Sequence, residues 1–336
     1  MKFAVVGAGA IGGYLGAKLA LAGEPVTFIA RGANLAAIHA GGMKLILEDG
    51  TEQLARDVGA FQHMADAGTH DVILLTVKAH QVAAIAPELG SLCHADTALV
   101  TMQNGIPWWY FHKHGGTLEG REVKSADPDG LAAKHIDPAR IIGSVVYPAA
   151  ELVAPGVVKV IEGNRFSLGE LDGSSTPRIQ SIAASLIRAG FKTPVSSDIR
   201  SEIWLKLWGN LSFNPISALT HATLVDICQF PLTRSLAAAM MTEAQQVGEK
   251  LGASFRVSLE KRIAGAEKVG AHKTSMLQDV ELGKAIEIEA LVGGVAELGR
   301  MTQTPTPHID AVYACASLLS KTLATQHGRL RVEPLS

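Results

Sequence analysis

The sequence predicts an α/β protein in two parts, a doubly wound sheet on the N-terminal side followed by an all-α domain. Three observations carry this. A short apolar run, Lys2 to Val6, leads straight into a glycine-rich turn and a helix-forming stretch. Apolar runs of strand length then alternate with helical segments as far as Ser196-Ser197, the pattern of βαβ units around a parallel sheet. From Asp198 onward the pattern is almost wholly helical.

The opening stretch is the most informative. Gly7, Gly9 and Gly12 stand at the G-x-G-x-x-G spacing, with Ala8, Ala10 and Ile11 between them, and Ala10 to Leu21 are good helix formers. In a Rossmann-type domain the first glycine permits the tight turn, the second lets backbone approach a pyrophosphate, and the third lets helix pack on strand. The helix N-terminus adds free N–H groups and a partial positive charge for that anion. Both flanks that the motif requires are present, so dinucleotide binding is expected.

Length and composition bound the rest. At 336 residues the chain suits two domains of roughly 150 residues each, and 47% hydrophobic residues suffice for sizeable cores. We divide it into 1–196, dinucleotide-binding; 197–328, helical; and 329–336, a tail. Thirty Lys and Arg against 32 Asp and Glu give a net charge of −2, with no basic run that would mark a nucleic-acid surface. Cys93, Cys228 and Cys315 are too few and too scattered for a disulfide framework or a zinc site, and point to a reducing compartment. No signal peptide is visible, and no apolar run reaches about 18 residues without charge. A soluble cytoplasmic protein acting on a small molecule is expected, with neither nucleic acid nor membrane as partner and no metal.

Pro25 to Ala30 is a second strand, and its exit reports on the cofactor. An acidic residue there would bind the ribose hydroxyl of NAD, whereas arginine suits the extra phosphate of NADP. The chain has Arg31, which could also be a plain solvated loop residue. Asp71 to Lys78 and Thr97 to Gln103 are further strands with a helix, His80 to Leu89, between them. They end in Lys78 and in Asn104-Gly105, at the carboxyl ends where ligands of such sheets bind, though either could simply belong to a turn.

Pro107 to Arg140 is polar and is expected as a surface excursion, its histidines lacking metal-site spacing. Trp108-Trp109-Tyr110 at its start could cover a pocket or pack on the sheet. Ile141 to Tyr147 and Gly156 to Ile161 suggest an antiparallel addition to the sheet, Arg178 to Ala189 a helix, and Lys192 to Ser197 a last strand.

Helices are expected at Ile199 to Leu219, Thr233 to Leu251, Asp279 to Gly299 and His308 to Ala324. The first carries the chemistry. Lys206, Asn210 and Asn214 recur at i, i+4 and i+8, a single polar stripe on a helix otherwise dense in Trp, Leu and Phe. Polar groups there need partners if buried. Pro215 removes a backbone donor beside Asn214 and should bend the helix. Ser275 or Asp279 could cap the third helix, and either Glu287 or Glu289 must face apolar surroundings or a site.

Taken together, the glycine turn, Arg31, Val77-Lys78, Gln103-Asn104-Gly105, the Trp204 to Leu219 segment with Lys206, Asn210 and Asn214-Pro215, and Thr274 to Asp279 followed by Glu287-Ile288-Glu289 resemble the ketopantoate reductase family (2-dehydropantoate 2-reductase) over residues 1–325. The resemblance implies Lys206 as general acid and Glu287 as the carboxylate that orients substrate. It implies Asn104, Asn210, Asn214 and Ser275 as substrate contacts, Asn104 also lying near the nicotinamide. Arg31 and Lys78 would hold the 2′-phosphate of NADP. The reaction would be reduction of 2-dehydropantoate to (R)-pantoate, on the way to pantothenate and coenzyme A.

His272 stands where many members carry asparagine, and Leu224 near where others hold a further one. The excursion before Arg140 is also longer than usual. These departures bear on which 2-oxo acid is used. A sister reductase yielding another D-2-hydroxy acid and a non-catalytic NADP-binding sensor are the alternatives, and a homodimer stays open.

Overall fold

Phe3 to Val6 and Val26 to Ile29 are buried on both faces, as strands covered by helices must be. In the computed structural model, which describes residues 1–333, they are the first two of eleven strands among the described residues. These are β1 (Phe3–Val6), β2 (Val26–Ile29), β3 (Met43–Ile46), β4 (Glu52–Ala55), β5 (Gly59–Phe61), β6 (His70–Leu75), β7 (Cys93–Thr101), β8 (Ile141–Val146), β9 (Ala149–Ala154), β10 (Val157–Glu162) and β11 (Phe166–Glu170).

Seven of them form one sheet in the order β11-β8-β7-β6-β1-β2-β5, parallel except for β11. Phe3 of β1 lies between Val26 of β2 and Val72 of β6, and Val6 between Ile29 and Leu75. The chain winds outward from β1 on one side, then returns to build β6, β7 and β8 on the other. The strand order therefore reverses beside β1, which is where such sheets bind ligands.

The helix Ala10–Leu21 follows β1 and packs under a second sheet, β4-β3-β10-β9. A Cβ on Gly13 would meet Val158 Cγ2 at 2.7 Å and Met43 Sδ at 3.2 Å, so the helix surface there has to be flat. The antiparallel addition expected after Arg140 is split between the two sheets. β8 joins β7 in parallel and β11 pairs with it antiparallel, whereas β10 joins the small sheet. Lys192 to Ser197 makes only isolated bridges from Lys192 and Val195 and no strand.

The excursion is less superficial than its polarity implies. Trp108, Trp109, Tyr110 and Phe111 are buried, and Trp109 Nε1 donates to Thr101 Oγ1 at 3.0 Å. Arg200 fixes the same segment by donating to the carbonyls of Tyr110, Leu171 and His112. The aromatic triplet is thus packing, and the reading of it as a pocket cover falls away.

By compactness the chain divides into a unit of Met1–Asn104, Trp108–Glu122 and Asp127–Glu202, and a second of Gly105–Pro107, Val123–Ala126 and Ile203 onward. The long helix Ile199–Thr220 opens at Asp198, whose carboxylate accepts from the Ser201 N–H at 3.0 Å. It remains helical through Pro215. Pro231–Lys250 and Pro307–Gln326 follow expectation closely.

Leu224–Gln229 and Leu259–Val269 are helices that the periodic reading missed. Both carry start signals, a Thr223/Asp226 capping box and a Ser258 cap. The expected helix at Asp279 to Gly299 is broken. Ser275–Leu282 ends at Gly283, which is left-handed at φ 67°, and helix resumes only at Ile288. Residues 334–336 of the expected tail lie outside the described residues.

Candidate active site

At the carboxyl edge of the large sheet, the exits of β6, β1 and β2 lie side by side. Gly7 turns with φ +106°, a conformation that side chains other than glycine rarely adopt. Its carbonyl accepts from Thr76 Oγ1 at 2.7 Å, and a Cβ on Gly12 would run into that carbonyl and the same hydroxyl. Gly9 is the opposite case. It is exposed and a Cβ there would meet nothing within 4 Å, so its backbone faces open space. With no acidic residue in the first helical turn, the N–H groups of Ala10, Ile11 and Gly12 are presented as an anion cradle. The cradle fits a dinucleotide pyrophosphate, and it fits because of what is absent from Gly9.

Arg31 is exposed and stands just before the helix Gly32–Gly41 at the exit of β2. Lys78 follows β6 and caps the short turn Ala79–Gln81. The two cations thus flank the glycine turn from the strands on either side. Asn34 was not anticipated, and Gln103 was expected only as part of the Gln103-Asn104-Gly105 motif, with no role of its own. Asn34 donates to the Ala8 carbonyl at 2.5 Å and accepts from Gly156 N at 2.7 Å, tying the turn to the start of β10. Gln103 Nε2 donates to the carbonyls of Leu75 and Val77, at 2.8 and 3.0 Å. It holds the exit of β6 in place, immediately before Asn104. No local pattern marks such roles, because the partners are backbone groups distant in sequence.

In the helical unit the stripe on Ile199–Thr220 is real. Asn214 is 6% exposed, and Lys206 and Asn210 are partly accessible. The opposite face is nailed down. Trp204 and Trp208 are fully buried, both stack edge-on against Phe255, and Trp208 Nε1 donates to the Met241 carbonyl at 2.6 Å. These anchors fix the rotation of the helix and hence the direction in which Lys206 points.

Lys206 keeps a little surface but has lost most of its hydration, and that loss pulls its pKa from 10.5 down to about 8. Glu287 opposes the shift and Arg262 adds to it. Two features that sequence reading left open are decided here. Glu287 is the carboxylate that acts on Lys206, while Glu289 is exposed and accepts from Tyr313 Oη at 2.5 Å. The N-cap of the Ser275–Leu282 helix is neither Ser275 nor Asp279 but Thr274, whose hydroxyl accepts from Leu277 N. Ser275 is exposed in the first turn.

Glu287 ends the non-helical link after Gly283, and the backbone then enters a π-helical turn, Glu289–Gly293. Such turns cost helix geometry and recur at functional sites. Arg262, on Leu259–Val269, is a charged neighbour that the sequence did not reveal. A Cβ on Gly209 would lie 2.5 Å from its Nη2 and 3.1 Å from its Cζ. A helix-interior glycine costs about 1 kcal/mol relative to alanine, and here it makes room for a guanidinium. His272 and Leu224, the two departures from the family pattern, meet through a Leu224 N–H bond to the His272 carbonyl at 3.1 Å. No cluster of three or more His, Cys, Asp or Glu among the described residues could hold a metal.

A lysine poised near neutrality beside a carboxylate, in a chain that also builds a dinucleotide cradle, is the equipment of a nicotinamide-dependent reductase. Known proteins agree with it. A 2-dehydropantoate 2-reductase from Mesorhizobium japonicum is 52% identical over 98% of this chain and 99% of its own length. One from Archaeoglobus fulgidus is 30% identical over 88% of this chain and 90% of its own.

Among solved structures, a candidate ketopantoate reductase from Ralstonia solanacearum MolK2 superposes with TM-score 0.91 at 40% identity, covering 96% of this chain and 98% of that one. A D-mandelate dehydrogenase, at 21% identity and TM-score 0.81 over 96% of this chain and 99% of its own, shares the fold. The family described as Ketopantoate reductase PanE/ApbA matches residues 3–173, and its C-terminal counterpart matches residues 198–320. With the cradle in the first of these segments and Lys206 and Glu287 in the second, this chain belongs to the ketopantoate reductase family.

Proposed function

We propose that this protein reduces 2-dehydropantoate to (R)-pantoate with NADPH, as a step of pantothenate biosynthesis in the cytoplasm. The observation that carries the reading is Lys206, an ammonium brought to about 8 by burial and set against Glu287. NADPH, when bound, supplies the hydride. As the ketone is reduced, negative charge grows on its oxygen, so a cation that can also release a proton there lowers the barrier. Lys206 is both. Asn210 and Asn214, on the same stripe, are the amides that would orient the 2-oxo acid, with Asn104 and Ser275 as further contacts. Arg31 and Lys78 would hold the 2′-phosphate over the turn formed by Gly7, Ala8, Gly9, Ala10, Ile11 and Gly12.

The division of labour follows the domains we assign, 1–196 for cofactor and 197–328 for substrate. A sensor that merely bound NADP would need the first and have no use for Lys206 and Glu287. A homodimer is compatible with this reading, and sedimentation velocity would measure it.

Substrate choice rests on Glu287. Ketopantoate carries a hydroxyl that can donate to the Glu287 carboxylate, and an analogue without it forfeits that bond. Sites of this kind reject such analogues by about 10⁴. The test compares ketopantoate with 2-oxoisovalerate in steady-state kinetics. Ketopantoate should win by orders of magnitude, and Glu287→Gln should shrink that margin while NADPH affinity holds. Faster turnover of the 3-methyl or a phenyl 2-oxo acid by the parent enzyme would overturn ketopantoate as the substrate.

A further inference from the structure

The π-helical turn Glu289–Gly293 stands between Glu287 and the helix Gly294–Met301. A π-turn closes on i→i+5 bonds and so takes in one residue more than an α-turn, which rotates everything before it about the helix axis by roughly 100°. Glu287 feels that rotation directly. Residues 284–287 are non-helical, Ile286 and Ile288 on either side of Glu287 are buried, and the Glu287 carbonyl accepts from Leu291 N, inside the turn, at 3.2 Å. The direction of the Glu287 side chain is therefore set by the turn and not by the helix beyond it.

The turn is held on two faces, and glycines make both approaches possible. On the first, Ile106 N donates to the Ala290 carbonyl at 2.9 Å, and both residues are buried. Gly105 has φ +91°, and a Cβ there would run into the same carbonyl, while a Cβ on Gly294 would lie 3.0 Å from that of Ile106. On the second, Tyr313 Oη donates to Glu289 Oε2 at 2.5 Å. A Cβ on Gly293 would meet that carboxylate oxygen at 2.7 Å and Tyr313 at 3.1 Å. Burial, and then the Glu289 carboxylate, push the Tyr313 hydroxyl up to about 12, so it stays a donor at neutral pH. Gly293 and Gly294 are consecutive, so the two faces point about 100° apart. A π-turn is less favourable than α-helix, and contacts on two faces are what keep one in place.

We propose that this π-turn aims Glu287 at the substrate, with Gly105 and Tyr313 as positioning residues that keep the turn from relaxing to α-helix. This rests on the reading of Glu287 as the carboxylate that binds the substrate hydroxyl, and adds to it what gives that carboxylate its direction. It also gives the last residue of the Gln103-Asn104-Gly105 motif a task of its own.

The experiment compares ketopantoate with 2-oxoisovalerate in the parent, Y313F, G105A, E287Q and the Y313F/E287Q double variant. Turnover is measured by steady-state kinetics, and binding of each acid by calorimetry on the NADP-loaded protein. Y313F loses one hydrogen bond and almost no volume, so it should fold, with NADPH affinity by fluorescence equal to the parent's. Its preference for ketopantoate should drop about three- to tenfold, the size of one such bond, and through ketopantoate alone. G105A should drop it further; if G105A does not fold, Y313F decides alone. In the E287Q background Y313F should change the preference by less than about twofold, because residues that act through one another are not additive.

A merely structural role would slow both acids alike. Equal losses for the two acids in Y313F, no loss for either, or a full further loss on top of E287Q overturns the proposal. A parent that prefers 2-oxoisovalerate or reduces neither acid overturns the functional reading instead, and the coupling of Tyr313 to Glu287 in acid binding then decides the role of the turn. A parent that binds neither acid overturns both.

Discussion

Lys206 shows how one residue's surroundings decide its chemistry. In water its ammonium is a reluctant acid; within the helical unit it is held near 8. With Lys206 as the proton donor we propose, reduction needs its protonated form, so the rate should be level below that pH and fall as pH rises through it, which a pH profile of kcat would reveal. Lys206→Ala should cost about 10²- to 10⁴-fold in kcat, with NADPH affinity by fluorescence unchanged. The same shift has a price in stability. Because the folded pKa lies below the unfolded one, the unfolded chain binds more protons between about 8 and 10.5, and stability rises with pH across that window. At neutral pH the charge is a burden, so Lys206→Met should raise the melting temperature, on the order of a few degrees, while slowing reduction as much as Lys206→Ala does.

Elements were legible in the sequence where a local rule governs them. Ala10–Leu21 and Ile199–Thr220 could be read almost to the residue, the first from its glycine turn and the second from dense apolar periodicity. Where partners come from far along the chain, reading failed. β3, β4 and β9 form a sheet with β10 that nothing in their short sequences announces, and Arg262 reaches Gly209 across 53 positions. The break before Glu287 is an intermediate case, since Gly283 signals a helix end that continuous periodicity obscured. The glycine turn itself is testable as an element. Gly12→Val would force a side chain against the Gly7 carbonyl and Thr76, and should abolish NADPH binding in a fluorescence titration. Gly9→Ala, whose methyl meets no protein atom, should fold normally and weaken the cofactor alone, by intruding on the pyrophosphate.

At the scale of the whole molecule, anything that binds the folded chain alone stabilises it by mass action. NADPH at about 100 times its dissociation constant should add about 2.7 kcal/mol, and NADH at equal concentration much less. A thermal shift with each nucleotide checks this, and Arg31→Asp should narrow or reverse the difference.

The reason lies in the open face of Gly9. In the binding mode we propose, what both nucleotides share is recognised there by backbone, and what distinguishes them is met by Arg31 and Lys78, side chains on the exits of two other strands. Cofactor identity would on that proposal be a modular trait. Selection, natural or in the laboratory, can trade one nucleotide for the other at two surface positions, with no revision of the scaffold that grips the remainder.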